Sequence, residues 1–176
     1  TIDALNQGKA PLFEPGLDDL IQAGITKKCL RFTSDIAGAV DGIDVLWVAF
    51  DTPVDDNDTA DVELVLNRIK SVLPALADGT VVLVSSQMPV GSIRKLEAFV
   101  RENLANKSLS FACSPENLRL GKALDVFLKP DRIVVGVRED GARTKLEKLL
   151  VPVTDRIEWM SVESAEMTKH AINAFL

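Results

Sequence analysis

The sequence is poor in the residues from which metal sites and covalent catalysts are usually built. Its 176 residues include two cysteines, Cys29 and Cys113, and a single histidine, His170. With neither CxxC nor Cys/His spacing, the residues support metal binding poorly and no metal ligand is assigned. No signal peptide is recognised, so free thiols in a reducing cytoplasm are the expectation. Clustered Lys and Arg are lacking as well, and the net charge is -6. That balance argues against nucleic acid or an anionic membrane as the main partner. Long apolar runs are missing: VLWVAF at 45–50 and VVLV at 81–84 fall far short of the roughly 20 residues that span a bilayer. A soluble protein is expected.

What remains is ordinary globular material, 47% hydrophobic and 26% charged, long enough for one good core. Short β-branched runs alternate with segments of helical period, the pattern of βα units. Strands are predicted at 30–34, 44–50, 80–85, 109–113 and 132–137. They are nearly continuous apolar runs, as strands covered on both faces require. Val62, Val65, Leu66, Ile69, Val72, Leu73 and Leu76 recur at spacings of three and four, predicting a helix of about four turns, capped by Asp58, Thr59 or Asp61. A second helix follows Gly91 and Ser92 through Ile93, Leu96, Phe99, Val100 and Leu104. A third follows Gly141 through Leu146, Leu149 and Leu150. TIDALNQG reads as the last turns of a helix closed by Gly8. The fold class is an open, doubly wound α/β sheet.

In such sheets ligands bind outside the carboxyl ends of the strands. Three loops at those ends stand out: FDTP (50–53), SSQMPVG (85–91) and CSPENLRLG (113–121). Each joins proline, which fixes φ, to small or polar side chains able to hydrogen-bond at a defined place. Read singly, each is also good turn and helix-start chemistry. The usual phosphate cradles are absent, for no two glycines are separated by one residue and there is no GK[ST]. The acidic loop DTPVDDNDTAD fails as an EF-hand, because counting from Asp56 the sixth and twelfth positions are Asp61 and Asn67 rather than Gly and Glu. His170 has no nucleophile or acid at a recognisable spacing and reads as surface or packing. Lys169 and Asn173, four residues apart, share one helical face within SAEMTKHAINAFL (164–176).

NQGKAPLFEPGLDDLI (6–21), FDTPVDDNDTADV (50–62), SSQMPVGS (85–92), SPENLRLGKALDVFLKPDRIVVG (114–136) and SAEMTKHAINAFL together resemble the nucleotide-sugar dehydrogenases, the UDP-glucose/GDP-mannose dehydrogenase family. The resemblance covers nearly the whole chain. It implies a partial, mostly parallel Rossmann-like NAD-binding domain over residues 1–160, truncated at its N-terminus, with 161–176 opening the long central helix. It also implies oxidation of a nucleotide-sugar alcohol to a carboxylate by two hydride transfers to NAD, through a thioester on a cysteine. Lys169 and Asn173 match the pair that stabilises negative charge on the substrate oxygen. Glu116 matches a glutamate near nicotinamide that activates water. Thr52 and Pro53 match a cofactor-contacting turn, and Gln87 replaces a threonine common at its position. Substrate contact is implied for Glu116, Asn117, Leu118, Leu120, Lys169 and Asn173. Leu120 stands where many relatives carry a second glutamate, and leucine cannot handle a proton. Neither Cys29 nor Cys113 lies in a motif like that of the family's catalytic cysteine, so the chain is not expected to turn over alone. A stand-alone remnant that binds a partner is the alternative. A cut sheet with open edges is expected to associate, most simply as a homodimer.

Overall fold

The computed structural model describes residues 1–57 and 59–175, without the side chains of Asn173 and Phe175. Its contacts gather into two compact units, one formed by 1–39 and 117–131, the other by 40–116 and 132–176.

The second unit holds the sheet. Five strands lie in the order β1 (Val45–Val48), β2 (Val81–Val84), β3 (Ser110–Cys113), β4 (Ile133–Val137) and β5 (Ile157–Met160). The first three run parallel, β4 turns antiparallel to β3, and β5 runs parallel to β4. β2 is buried at all four positions, which is why VVLV is apolar without alternation. Its even residues Val82 and Val84 face a core built with α4 (Val62–Val72), α5 (Ser92–Asn103) and the start of α8 (Val162–Phe175). Its odd residues Val81 and Leu83 face α7 (Asp140–Leu150).

The reversal at β4 accounts for that division. Right-handed crossovers that step sideways across the sheet in one direction place their helices on one face, and reversing the strands moves the next helix to the other. Accordingly α4 and α5, which join β1 to β2 to β3, share one core, while α7, between β4 and β5, fills the other. α8 returns to the first face, where Val162 and Ala165 are fully buried.

Local chemistry explains the element ends. Asp61 caps α4, its Oδ1 accepting the N–H of Leu64 at 2.9 Å. The predicted four-turn helix stops at Val72 and tightens into a 3-10 turn, Leu73–Ala75, because Pro74 has no N–H to continue the ladder. Gly141 lies inside α7 rather than ahead of it. β5 escapes the sequence pattern because IEWM places the exposed Glu158 between half-buried neighbours.

The first unit is helical: α1 (Ile2–Asn6), α2 (Leu17–Thr26), most of α3 (Ile36–Val40) and α6 (Ala123–Leu128). Gly8 follows α1 with a φ of 81°. Residues 30–34, predicted as a strand, join no ladder among the described residues. Asn6 takes the place of a partner strand there: its Nδ2 donates to Phe32 O at 3.0 Å and its Oδ1 accepts Phe32 N–H at 3.2 Å. Buried Glu14 accepts the N–H of Gly121 at 2.5 Å and of Leu124 at 3.3 Å, tying FEPG to the turn before α6.

Candidate functional site

Three strand ends coincide. Val48 pairs with Val84 and Val84 with Cys113, so the FDTP, SSQMPVG and CSPE segments all leave the sheet at one level on one edge. Hydroxyl side chains stitch them together. Trp47 Nε1–H donates to Ser85 Oγ at 2.8 Å, and Ser85 N–H to Val48 O at 2.8 Å. Ser86 Oγ donates to Phe50 O and Thr52 Oγ1 to Gln87 O, each at 2.5 Å. Ser114 donates its N–H to Val84 O and its Oγ to Val134 O, both at 2.9 Å. The hydroxyls of Thr52, Ser86 and Ser114 thus spend their donors on neighbouring segments, and that of Ser85 accepts from Trp47, which holds the loops before any ligand arrives.

The loops border a cavity of about 590 Å³, within the range of small-molecule sites. Thr52, Gln87, Glu116 and Lys169 line it beside apolar Phe50 and Val62. Glu116 and Lys169, 53 positions apart in the sequence, therefore open onto one hollow of the second unit. Thr52, Glu116 and Lys169 are half-buried and Gln87 is exposed. Pro53 is exposed, does not line the cavity, and accepts the N–H of Asp61 at 2.8 Å. Asn117, Leu118 and Leu120 belong to the first unit and are exposed there. The side chain of Asn173 lies outside the described residues.

Two residues of this region were given no site role by the sequence. His170, read as surface or packing, lines the same cavity and holds Met88 O at 3.0 Å through Nε2. A carbonyl only accepts, so Nε2 carries the proton in that contact. Glu166, only 5% exposed, reaches the backbone N–H groups of Gly91 and Ile93. The readable signal was the spacing: Glu166, Lys169 and His170 stand three and four apart on one helical face.

Cys113 ends β3 at 6% exposure. Burial, and then the negative charge of Glu166, push its thiol up to about 12. That disfavours the thiolate, the form that attacks or binds metal, at neutral pH. Among the described residues no group of three or more His, Cys, Asp or Glu is placed to hold a metal, and no helix is long and apolar enough to cross a membrane.

Comparison with known proteins gives a consistent result. Residues 1–154 match a family model described as the UDP-glucose/GDP-mannose dehydrogenase family, NAD binding domain. The UDP-glucose 6-dehydrogenase of Rhizobium meliloti is 34% identical over 183 residues, covering 99% of this chain and 41% of that protein. The UDP-glucose 6-dehydrogenase of Pseudomonas aeruginosa is 32% identical, covering 98% and 40%. Among solved structures, a GDP-mannose dehydrogenase from Pseudomonas aeruginosa superposes with a TM-score of 0.89 at 28% identity, over 99% of this chain and 42% of that one. A UDP-glucose dehydrogenase from Pyrobaculum islandicum gives 0.85 at 29%, over 99% and 41%. The chain spans about two fifths of the length of these relatives.

Proposed function

The chain belongs to the UDP-glucose/GDP-mannose dehydrogenase family, matching its NAD binding domain, and on that premise we propose that it serves an NAD-dependent nucleotide-sugar 6-dehydrogenase. The substrate class is a UDP-sugar alcohol such as UDP-glucose, oxidised to the carboxylate. The observation that carries this reading is the meeting of Glu116, Lys169, Thr52 and Gln87 around one cavity at the carboxyl ends of β1 to β3.

The lining, which mixes apolar Phe50 and Val62 with polar Thr52, Ser86 and Gln87, suits a planar ring bearing an amide. NAD, when bound, supplies the hydride acceptor. The protein's own residues do the rest. Thr52 and Gln87 would hold the ring, and Glu116, which lines the same cavity, is assigned beside it. The Lys169 ammonium faces the substrate oxygen as the hydroxyl proton leaves and negative charge develops there, an interaction stronger in the transition state than before it. Asn173 is assigned to the same clamp. Glu116 is assigned to orient the water that releases the acid, and Asn117, Leu118 and Leu120 to the sugar side. Cys113, buried at the end of β3 and in no motif like that of the family's catalytic cysteine, is not assigned as the nucleophile of the second step.

A cytoplasmic homodimer completes the proposal. Support comes from β1, whose outer edge meets no strand among the described residues, and from exposed apolar side chains such as Phe13, 85% exposed.

The test is UDP-glucose oxidation by the enzyme that contains this domain, followed by NADH absorbance. Lys169→Met is expected to lower kcat by about 100- to 1,000-fold, the range for loss of one oxyanion partner. A kcat equal to that of the parent enzyme removes Lys169 from the chemistry.

A further inference from the structure

Helix α5 begins without a cap of its own. Gly91 holds the N-cap position at a φ of 92°, and no side chain of that segment accepts from the first N–H groups. The acceptor arrives from α8, 75 residues on: Glu166 Oε2 takes the N–H of Gly91 at 2.7 Å and Oε1 that of Ile93 at 2.8 Å. A carboxylate that is only 5% exposed is costly unless both oxygens are satisfied. Here each oxygen has a donor, at the end of a helix whose dipole favours negative charge.

One turn along α8 from Glu166 come Lys169 and His170. His170 Nε2 donates to Met88 O at 3.0 Å, so side chains of α8 grip residues 88, 91 and 93 at three points. That strip continues the Ser85–Pro89 wall of the cavity that Lys169 also lines. Glu166 and Lys169 further border one water-sized hollow of about 10 Å³ together with Met88 and Cys113. A cap serving α5 alone needs only some acceptor at Gly91. Placing that acceptor on the helix that carries Lys169 couples the position of the ammonium to the loop beside it.

We propose that Glu166 is a positioning residue, which sets where Lys169 stands relative to the 85–91 loop by locking α8 to the start of α5. The inference rests on the reading of Lys169 given above. Glu166→Gln keeps the shape but offers one acceptor oxygen and turns an NH2 toward a backbone N–H, so the lock loosens without a cavity.

The test is made in the enzyme that contains this domain, with Tm, kcat and KM measured together. Glu166→Gln is expected to lower kcat about 10- to 100-fold, the scale for a misplacement near 1 Å. KM for the nucleotide sugar should change less than about 3-fold, because the lost interaction belongs to the transition state. Leu146→Ala, in the core on the other face of the sheet, serves as the stability control, lowering Tm while kcat stays at the parent value. Should Glu166→Gln fail to fold, Glu166→Asp, which keeps the charge and shortens the reach by one methylene, is read by the same split. A parent-like kcat in the folded Glu166 variant, with Tm reduced as in the control, makes Glu166 a cap only and overturns the inference. If Lys169→Met loses activity and the Glu166 variant does not, the inference fails and the reading of Lys169 stands. If Lys169→Met also keeps full activity, both fall.

Discussion

Cys113 and Cys29 carry the same side chain in opposite surroundings. The first is buried at the end of β3, its thiol pushed up to about 12 by burial and by Glu166; the second is exposed in the first unit. An aromatic disulfide reagent at pH 8 is therefore expected to titrate one thiol quickly in the native protein and both in urea, because only the thiolate reacts and only an accessible one is reached. Two fast thiols in the native state contradict the burial of Cys113. Glu163 is a residue whose charge state tracks stability. Hydrogen bonds from Arg138, and then Arg94, each at 2.8 Å, hold its carboxyl at about 2, below the ordinary 4.5. Between those two values the unfolded chain binds the extra proton. The stabilisation is thus complete above about pH 4.5 and is lost as pH falls through about 2. Glu163→Gln is expected to remove about 1 kcal/mol at pH 7 and to flatten Tm against pH in that window. An unchanged acid limb in the variant counts against the ion pair.

At the scale of elements, the seat of α8 on β4 depends on a missing side chain. A Cβ at Gly136 would stand 2.6 Å from the Cβ of Ala165, 2.7 Å from the Cα of Val162 and 2.9 Å from Ser161 O. Two of those three atoms are backbone, so the helix itself must move. Gly136→Ala is expected to cost about 1–3 kcal/mol, read as a lower urea midpoint, and to shift the helix that bears Lys169. Gly141→Ala provides the contrast: it lies within α7, no atom beyond its chain neighbours and the backbone of its own helix stands within 4 Å of the place its new methyl group would take, and a gain of about 0.5–1 kcal/mol is expected from helix propensity. If both substitutions cost the same, close packing of α8 is not what Gly136 serves.

At the scale of the molecule, an open edge and exposed apolar side chains favour association. β1 pairs only with β2 among the described residues, and Leu12, Phe13 and Leu120 are at least 63% exposed. Static light scattering at high micromolar concentration is expected to return about twice the 19.1 kDa of the chain. A mass of one chain across that range contradicts the homodimer.

Much of the architecture was legible in the residue pattern. Strands that are buried on both faces must be apolar throughout, and helices with one buried face must repeat at three and four, so β1 to β4 and α4, α5 and α7 could be placed before any coordinates. The strand expected at 30–34 was not so placed, because an apolar run becomes a strand only if a partner supplies the ladder, and Asn6 satisfies Phe32 instead. The reversal of β4 was also hidden, since direction leaves no mark on composition. The loops at the strand ends and the Lys169 helix were visible as motifs. Their meeting at one cavity, and the reach of Glu166 to the start of α5, were settled by tertiary structure alone, because hydrogen bonds 75 residues apart depend on how helices pack and have no period to betray them.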